Sequence, residues 1–173
     1  MAKNTRALDG LMAAECVNQL QQLRLDMAKL KAGTVFHVDA SAAVATANAT
    51  DLPTLITLIN ALKASYNTSR ASACSASTGQ GAHLAADATN VEATVDASDL
   101  ATSITLANDL KAKFNAHLTQ AGVHMTNDAT NTIATANGTV LGDTITLANA
   151  FKTALNAHYA AAFTHQAIAL VGP

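Results

Sequence analysis

Histidine is the residue type in this chain best able to do chemistry, and there are six: His37, His83, His117, His124, His158 and His165. His117 and His124 are seven apart, as are His158 and His165, while His83 with Asp87 and His124 with Asp128 form H-x-x-x-D. An imidazole can ligate a metal, carry a proton near neutral pH, or bond to backbone carbonyls. On one continuous helix the H-x-x-x-D spacing would place two ligands on a single face. These residues instead fall where helices are expected to end and connectors to begin. They are therefore read as one structural contact per copy of a repeated unit, made to last-turn carbonyls or connector backbone. On this reading no metal and no cofactor is assigned, with a ligand- or metal-binding repeat module as an alternative.

Other catalytic constellations do not assemble. Glu15 and Glu92 are the only glutamates, and no carboxylate pair recurs with a partner suited to acid–base work. No serine sits in a nucleophile elbow. Gly79-Gln80-Gly81 is too short for a phosphate loop. Asn48-Ala49-Thr50, Asn67-Thr68-Ser69 and Asn137-Gly138-Thr139 match the glycosylation pattern, but no signal peptide is expected from the polar opening residues and the matches are read as accidents of an Asn/Thr-rich chain. Cys16 and Cys74 fit no metal spacing; they read as ordinary thiols, or as a crosslink formed in an oxidising medium. The expectation is a protein that is not an enzyme.

The elements that would position these residues come from internal repetition. Shifted by 41, His83 meets His124 and His124 meets His165, Asp87-Ala88-Thr89-Asn90 meets Asp128-Ala129-Thr130-Asn131, and Ile104-Thr105-Leu106-Ala107-Asn108 meets Ile145-Thr146-Leu147-Ala148-Asn149. Asn115-Ala116-His117 likewise meets Asn156-Ala157-His158. An earlier copy lies 48 upstream, where Ile56-Thr57-Leu58, Asn60, Lys63 and Asn67 match Ile104-Thr105-Leu106, Asn108, Lys111 and Asn115. The expected fold class is mainly α: tandem helix-plus-extended-connector repeats of period about 41, preceded by an amphipathic helix. The expected divisions are residues 1–33 for that helix, 34–80 for the first copy with a loop insertion, 81–122 and 123–163 for the next two, and 164–173 for a truncated copy.

Within each copy Thr50, Ser98 or Thr139 is the expected N-cap, with Asp51 and Asp99 in the first turn. Leu100, Ile104, Ala107, Leu110, Phe114 and Leu118 then recur at helical spacing, as do Leu141, Ile145, Ala148, Phe151, Leu155 and Tyr159. Val44 to Thr46, Val91 to Val95 and Ile133 to Thr135 look extended. A connector of that form can run back along a whole helix, so that successive helices lie parallel. The alternative, an antiparallel bundle with long loops, is disfavoured because loops above ~12 residues are uncommon in compact domains. Asparagine is a poor mid-helix residue. Its recurrence at Asn60 and Asn67, Asn108 and Asn115, and Asn149 and Asn156, beside Thr57, Thr105 and Thr146, suggests a Thr/Asn stripe that holds the returning connector.

The first segment is different. Cys16, Leu20, Leu23, Met27 and Leu30 alternate steps of four and three, an a/d seam fit for self-association or for docking on the chain's own repeats. Charged residues are only 13% of the chain and the formal charge is −2. With no Lys/Arg run, a phosphate-tracking surface is not expected, and no apolar run reaches the ~20 residues that span a bilayer.

The unit GVHMTNDATNTIATANGT…ITLANAFKTALNAHY resembles the repeat of small structural proteins encoded among the virion genes of tailed bacteriophages. The resemblance covers about residues 37 to 165. The first copy departs from it: Ser69 replaces the helix-end histidine, and His37-Val38-Asp39 shortens the H-x-x-x-D spacing. The resemblance implies a virion component without catalytic residues, made in the host cytoplasm. Its expected partners are itself, as a homo-oligomer, and other virion proteins, with no nucleic acid and no membrane. Capsid decoration or cementing is the first expectation. A neck, collar, baseplate or fibre-attachment role is the alternative.

Overall fold

The computed structural model describes residues 2–31, 43–72, 83–124 and 126–161. It is mainly helical: α1 (Ala2–Lys31), α2 (Leu52–Arg70), α3 (Leu100–Leu118) and α4 (Leu141–Tyr159), with no strand among the described residues. The chain divides into two units, one containing α1 and the other, Phe36–Ile168, containing α2 to α4.

Helices α2, α3 and α4 are each 19 residues long and each packs on both others. Their shared core is Leu55, Leu58, Ile59, Leu62 and Tyr66 from α2, Leu106, Ala107, Leu110, Phe114 and Leu118 from α3, and Leu147, Ala148, Phe151, Leu155 and Tyr159 from α4. Phe114 and Phe151 meet edge to face at 5.2 Å, a favoured aromatic geometry. The helices start one residue later than the sequence suggested. Asp51 and Asp99 are the N-caps, not Thr50 and Ser98, because each can form a reciprocal box with the threonine three residues on. Asp51 accepts from Thr54 N–H at 2.9 Å, while Asp51 N–H donates to Thr54 Oγ1 at 3.0 Å. In α4 the cap is Val140, not Thr139, and it has no side-chain cap bond.

Six asparagines fix the connectors. Asn60 bonds both backbone groups of Ala97, and Asn67 both of Glu92. Asn108 does the same for Gly138 and Asn115 for Ile133. Asn149 takes Ala49, and Asn156 takes Val44. Each amide thus gives its N–H to one carbonyl and takes the N–H of the same residue, so neither backbone group is left unpaired.

The order of these pairs sets the topology. As the chain runs from Glu92 to Ala97 its partners step back from Asn67 to Asn60, so the connector runs antiparallel to α2 and delivers α3 parallel to it. The same reversal on α3 delivers α4 parallel to α3. The connector before α2 lies on α4, which closes the set into a ring. Seven helix residues rise ~10.5 Å, whereas five fully extended residues would span ~16 Å. A bend in each connector, at Thr46, Thr94 and Thr135, shortens its path. At two of these bends a lysine accompanies the turn: Lys63 Nζ donates to Thr94 O and Lys111 Nζ to Thr135 O, both at 2.6 Å.

The threonines of the stripe do not join this ladder. Thr57, Thr105 and Thr146 are exposed and donate to Pro53, Ala101 and Gly142 carbonyls in their own helices. A short hydroxyl reaches the carbonyl four residues back more readily than a neighbouring segment.

Candidate metal centre

Because the three helices are parallel, their C-terminal ends lie together. His117 stands one residue before the end of α3 and His158 one before the end of α4. The connectors that leave α2 and α3 bring His83 and His124 to the same end, where His83 N–H donates to Ser72 O at 3.1 Å. All four imidazoles are buried, with exposures between 0% for His83 and 6% for His124. Their ligand atoms all lie within 4.8 Å of one another. Their spacing in the sequence places these histidines at separate contacts, one per copy. Four of them instead meet at one point. His165, the fifth histidine of that set, lies outside the described residues.

Two aspartates orient two of the rings. Asp87 Oδ2 accepts from His117 Nδ1 at 2.8 Å, and Asp128 Oδ2 accepts from His158 Nδ1 at 2.9 Å. Each aspartate is held in turn by its own loop. Asp87 also accepts from Thr89 N, Asn90 N and Asn90 Nδ2, and Asp128 from Thr130 N, Asn131 N and Asn131 Nδ2. The backbone N–H of Asp87 caps Arg70 O at the end of α2, and that of Asp128 caps Leu118 O at the end of α3. Each aspartate therefore ties the end of one helix to the histidine of the next.

The electrostatics follow from burial and these bonds. Burial would raise the Asp128 carboxyl, but the bonds from His158 and Asn131 outweigh it and hold the group down at about 2. Asp87 is likewise opposed by burial and lowered by Asn90 and His117. Burial drives His117 down to about 4, against the raising effect of the Asp87 bond and with His83 and His158 adding repulsion. At neutral pH the cluster thus combines a neutral His117 ring with two carboxylate anions.

Comparison with protein-family models, with curated proteins and with solved structures finds no match to this chain. What the site can do rests on its own geometry.

The position that breaks the pattern is Ser69, which in α2 corresponds to His117 and is buried at 2% exposure. The helix contribution to the cluster is therefore two rings, not three. Of the thiols, Cys16 is free and exposed, and Cys74 lies outside the described residues, as does the pairing suggested for the two. In α1, Leu20 and Leu23 are exposed at 54% and 57%. The side chains of Met27 and Leu30 lie outside the described set. The Asp–His bonds join residues 30 apart and are not visible in any local spacing. Their one visible signal was that Asp87 and Asp128 recur together with Asn90 and Asn131.

Proposed function

We propose that the chain is a non-catalytic virion structural protein of a tailed bacteriophage, most simply a capsid decoration or cement component. It is built as three tandem copies of period about 41 closed into a ring, with α1 as the arm that engages other subunits. The observation that carries this reading is the asparagine ladder. It uses two asparagines of each of α2, α3 and α4 to hold connectors, and it gives a small scaffold suited to repeated placement in a lattice. The likeness of the repeat unit to virion proteins supports the setting. The exposed apolar residues of α1, among them Met12, Val17, Leu20 and Leu23, support self-association or docking. Among the described residues, Asp51 and Asp99 are committed to caps and Asp87 and Asp128 to histidines, which fits a scaffold better than an acid–base site.

The test is mass by multi-angle light scattering on purified protein, with and without reductant. A discrete oligomer is expected, and its dissociation on reduction would implicate Cys16 or Cys74. A monomer under both conditions would contradict self-assembly. A second reading, a metal-binding repeat module, is favoured by one observation: four buried imidazoles from four segments stand within ligand reach of each other. The two readings are compatible.

A further inference from the structure

We propose that His83, His117, His124 and His158 together bind one divalent transition-metal ion in a closed tetrahedral site, of the class filled by zinc, and that this ion pins the C-terminal end of the three-helix domain. The proposal deepens the metal-binding reading above and stands apart from the virion reading. Either can fail without the other.

Shape is the first argument. A metal–nitrogen bond of about 2.0–2.1 Å sets imidazole centroids ~3.2 Å from an ion, and hence ~5.2 Å from each other at the corners of a tetrahedron. The six centroid separations here are 4.6, 4.9, 5.0, 5.1, 5.5 and 6.1 Å. A square-planar site would instead need two opposite pairs near ~6.4 Å and four adjacent pairs near ~4.5 Å. The widest pair is His83 with His158 at 6.1 Å, but the complementary pair, His117 with His124, is the narrowest at 4.6 Å. Those two pairs cannot be the diagonals of one square. The arrangement is a distorted tetrahedron, which disfavours ions that prefer a tetragonal field and suits zinc.

Charge is the second. Imidazoles ligate a metal in their neutral form and so bring no charge as ligands, whereas the carboxylates of Asp87 and Asp128 behind them bring two negative charges. A divalent ion balances these. The parallel α3 and α4 also end here, and helix C-termini favour a cation. The aspartate bonds occupy Nδ1 of His117 and His158 and leave Nε2 as the ligand atom of each ring. This is the carboxylate–histidine–metal relay by which proteins fix tautomer and ring direction.

Role is the third. Four protein ligands fill a tetrahedron and leave no position for water or substrate, the mark of a structural rather than a catalytic zinc site. Two ligands come from helices and two from connectors, so one ion joins segments spread from His83 to His158.

The experiment uses the full chain, stripped with a chelator and then dialysed against zinc or cobalt. One equivalent of zinc per chain is expected, and cobalt should give the intense visible absorption of a tetrahedral ion. His83→Asn and His124→Asn should each weaken zinc binding at least tenfold, while a His37→Asn/His165→Asn double variant keeps one equivalent. Asp128→Asn should weaken zinc by about 10–100-fold, yet leave the tetrahedral cobalt spectrum, because it positions a ligand without being one. A folded chain that takes up no zinc would overturn the proposal. So would a weak, octahedral cobalt spectrum, or binding that depends on His37 or His165. The wild-type cobalt spectrum decides the matter without any variant having to fold.

Discussion

Asn156 holds both backbone groups of Val44, a residue 112 positions earlier, with its amide oxygen 2.8 Å from Val44 N and its amide nitrogen 3.2 Å from Val44 O. Through this pair, and through Asn149 with Ala49, the segment before α2 is packed on α4 by the same device that packs the later connectors on α2 and α3. The first and last helical units are thus joined without a covalent link. The asparagine pairs are as complete at this seam as elsewhere.

The ladder gives a direct stability prediction. Asn108→Ala removes both bonds to Gly138 and leaves a partly buried N–H and C=O without these partners, which should cost about 1–3 kcal/mol. Asn108→Asp should cost at least as much, because a carboxylate cannot donate to Gly138 O and opposes it. Urea unfolding measures both. An unchanged midpoint for Asn108→Ala would mean that water replaces the amide and that the ladder is incidental.

Gly138 and Thr144 make a second test with a control built into the chain. A Cβ on Gly138 would lie 2.5 Å from Thr144 Oγ1, too close without rearrangement. Thr144 is fully buried and its hydroxyl donates to Val140 O at 2.8 Å, so it has little freedom to move. The positions 41 residues earlier are Ala97 and Ser103, a larger residue facing a smaller one. Gly138→Ala should therefore destabilise by about 1–3 kcal/mol, as overpacking does. Adding Thr144→Ser, which keeps the hydroxyl but drops the γ-methyl and so frees the side chain to rotate, should restore part of the loss. A double variant no better than the single one would refute this pairing.

The acid sensitivity of the metal-free protein follows from His117. Its folded pKa is about 4, against about 6.5 in the unfolded chain. Between those values the unfolded chain binds more protons, so stability is lost as pH falls from 6.5 to 4, on the order of 3 kcal/mol for this group. The groups around it act in both senses: Asp87 favours the proton, while His83 and His158 oppose it. Asp128 adds a further loss at lower pH, since its stabilisation is present above the unfolded carboxyl value and disappears as pH falls to about 2. Urea midpoints in chelator should drop between pH 7 and 5. A flat profile over that window would mean that the His117 ring is not buried as a neutral group.

The arm is tested by charge. Leu20→Lys with Leu23→Lys puts two ammonium groups into the a/d seam of α1, where both leucines are exposed. The double variant should reduce the oligomer to a single chain by light scattering and leave the melting of the 36–168 unit unchanged. An oligomer of unaltered mass would move self-association away from α1.

Much of this architecture was legible in the sequence, for physical reasons. The apolar spacing of α3 and α4 located their buried faces, and the mid-helix asparagines carried a propensity cost that asked for a compensating bond. The caps were misread by one residue because Thr50 and Asp51, like Ser98 and Asp99, are adjacent residues that can both cap; only the threonine three residues after the aspartate decides between them. Convergence of the histidines was not legible. His83 and His117 lie far apart in the chain, and their distance collapses only when an antiparallel connector and parallel helices return both to one end. A pattern taken locally, such as His124 with Asp128, suggests that the two act together, whereas Asp128 in fact serves His158.

The most direct measurement is X-ray absorption at the zinc edge of the loaded full-length protein. Four nitrogen scatterers at about 2.0–2.1 Å, with the multiple scattering of imidazole rings and no sulfur, are predicted. A shell of six light atoms at longer distance, or a sulfur contribution near ~2.3 Å, would contradict a closed four-histidine centre.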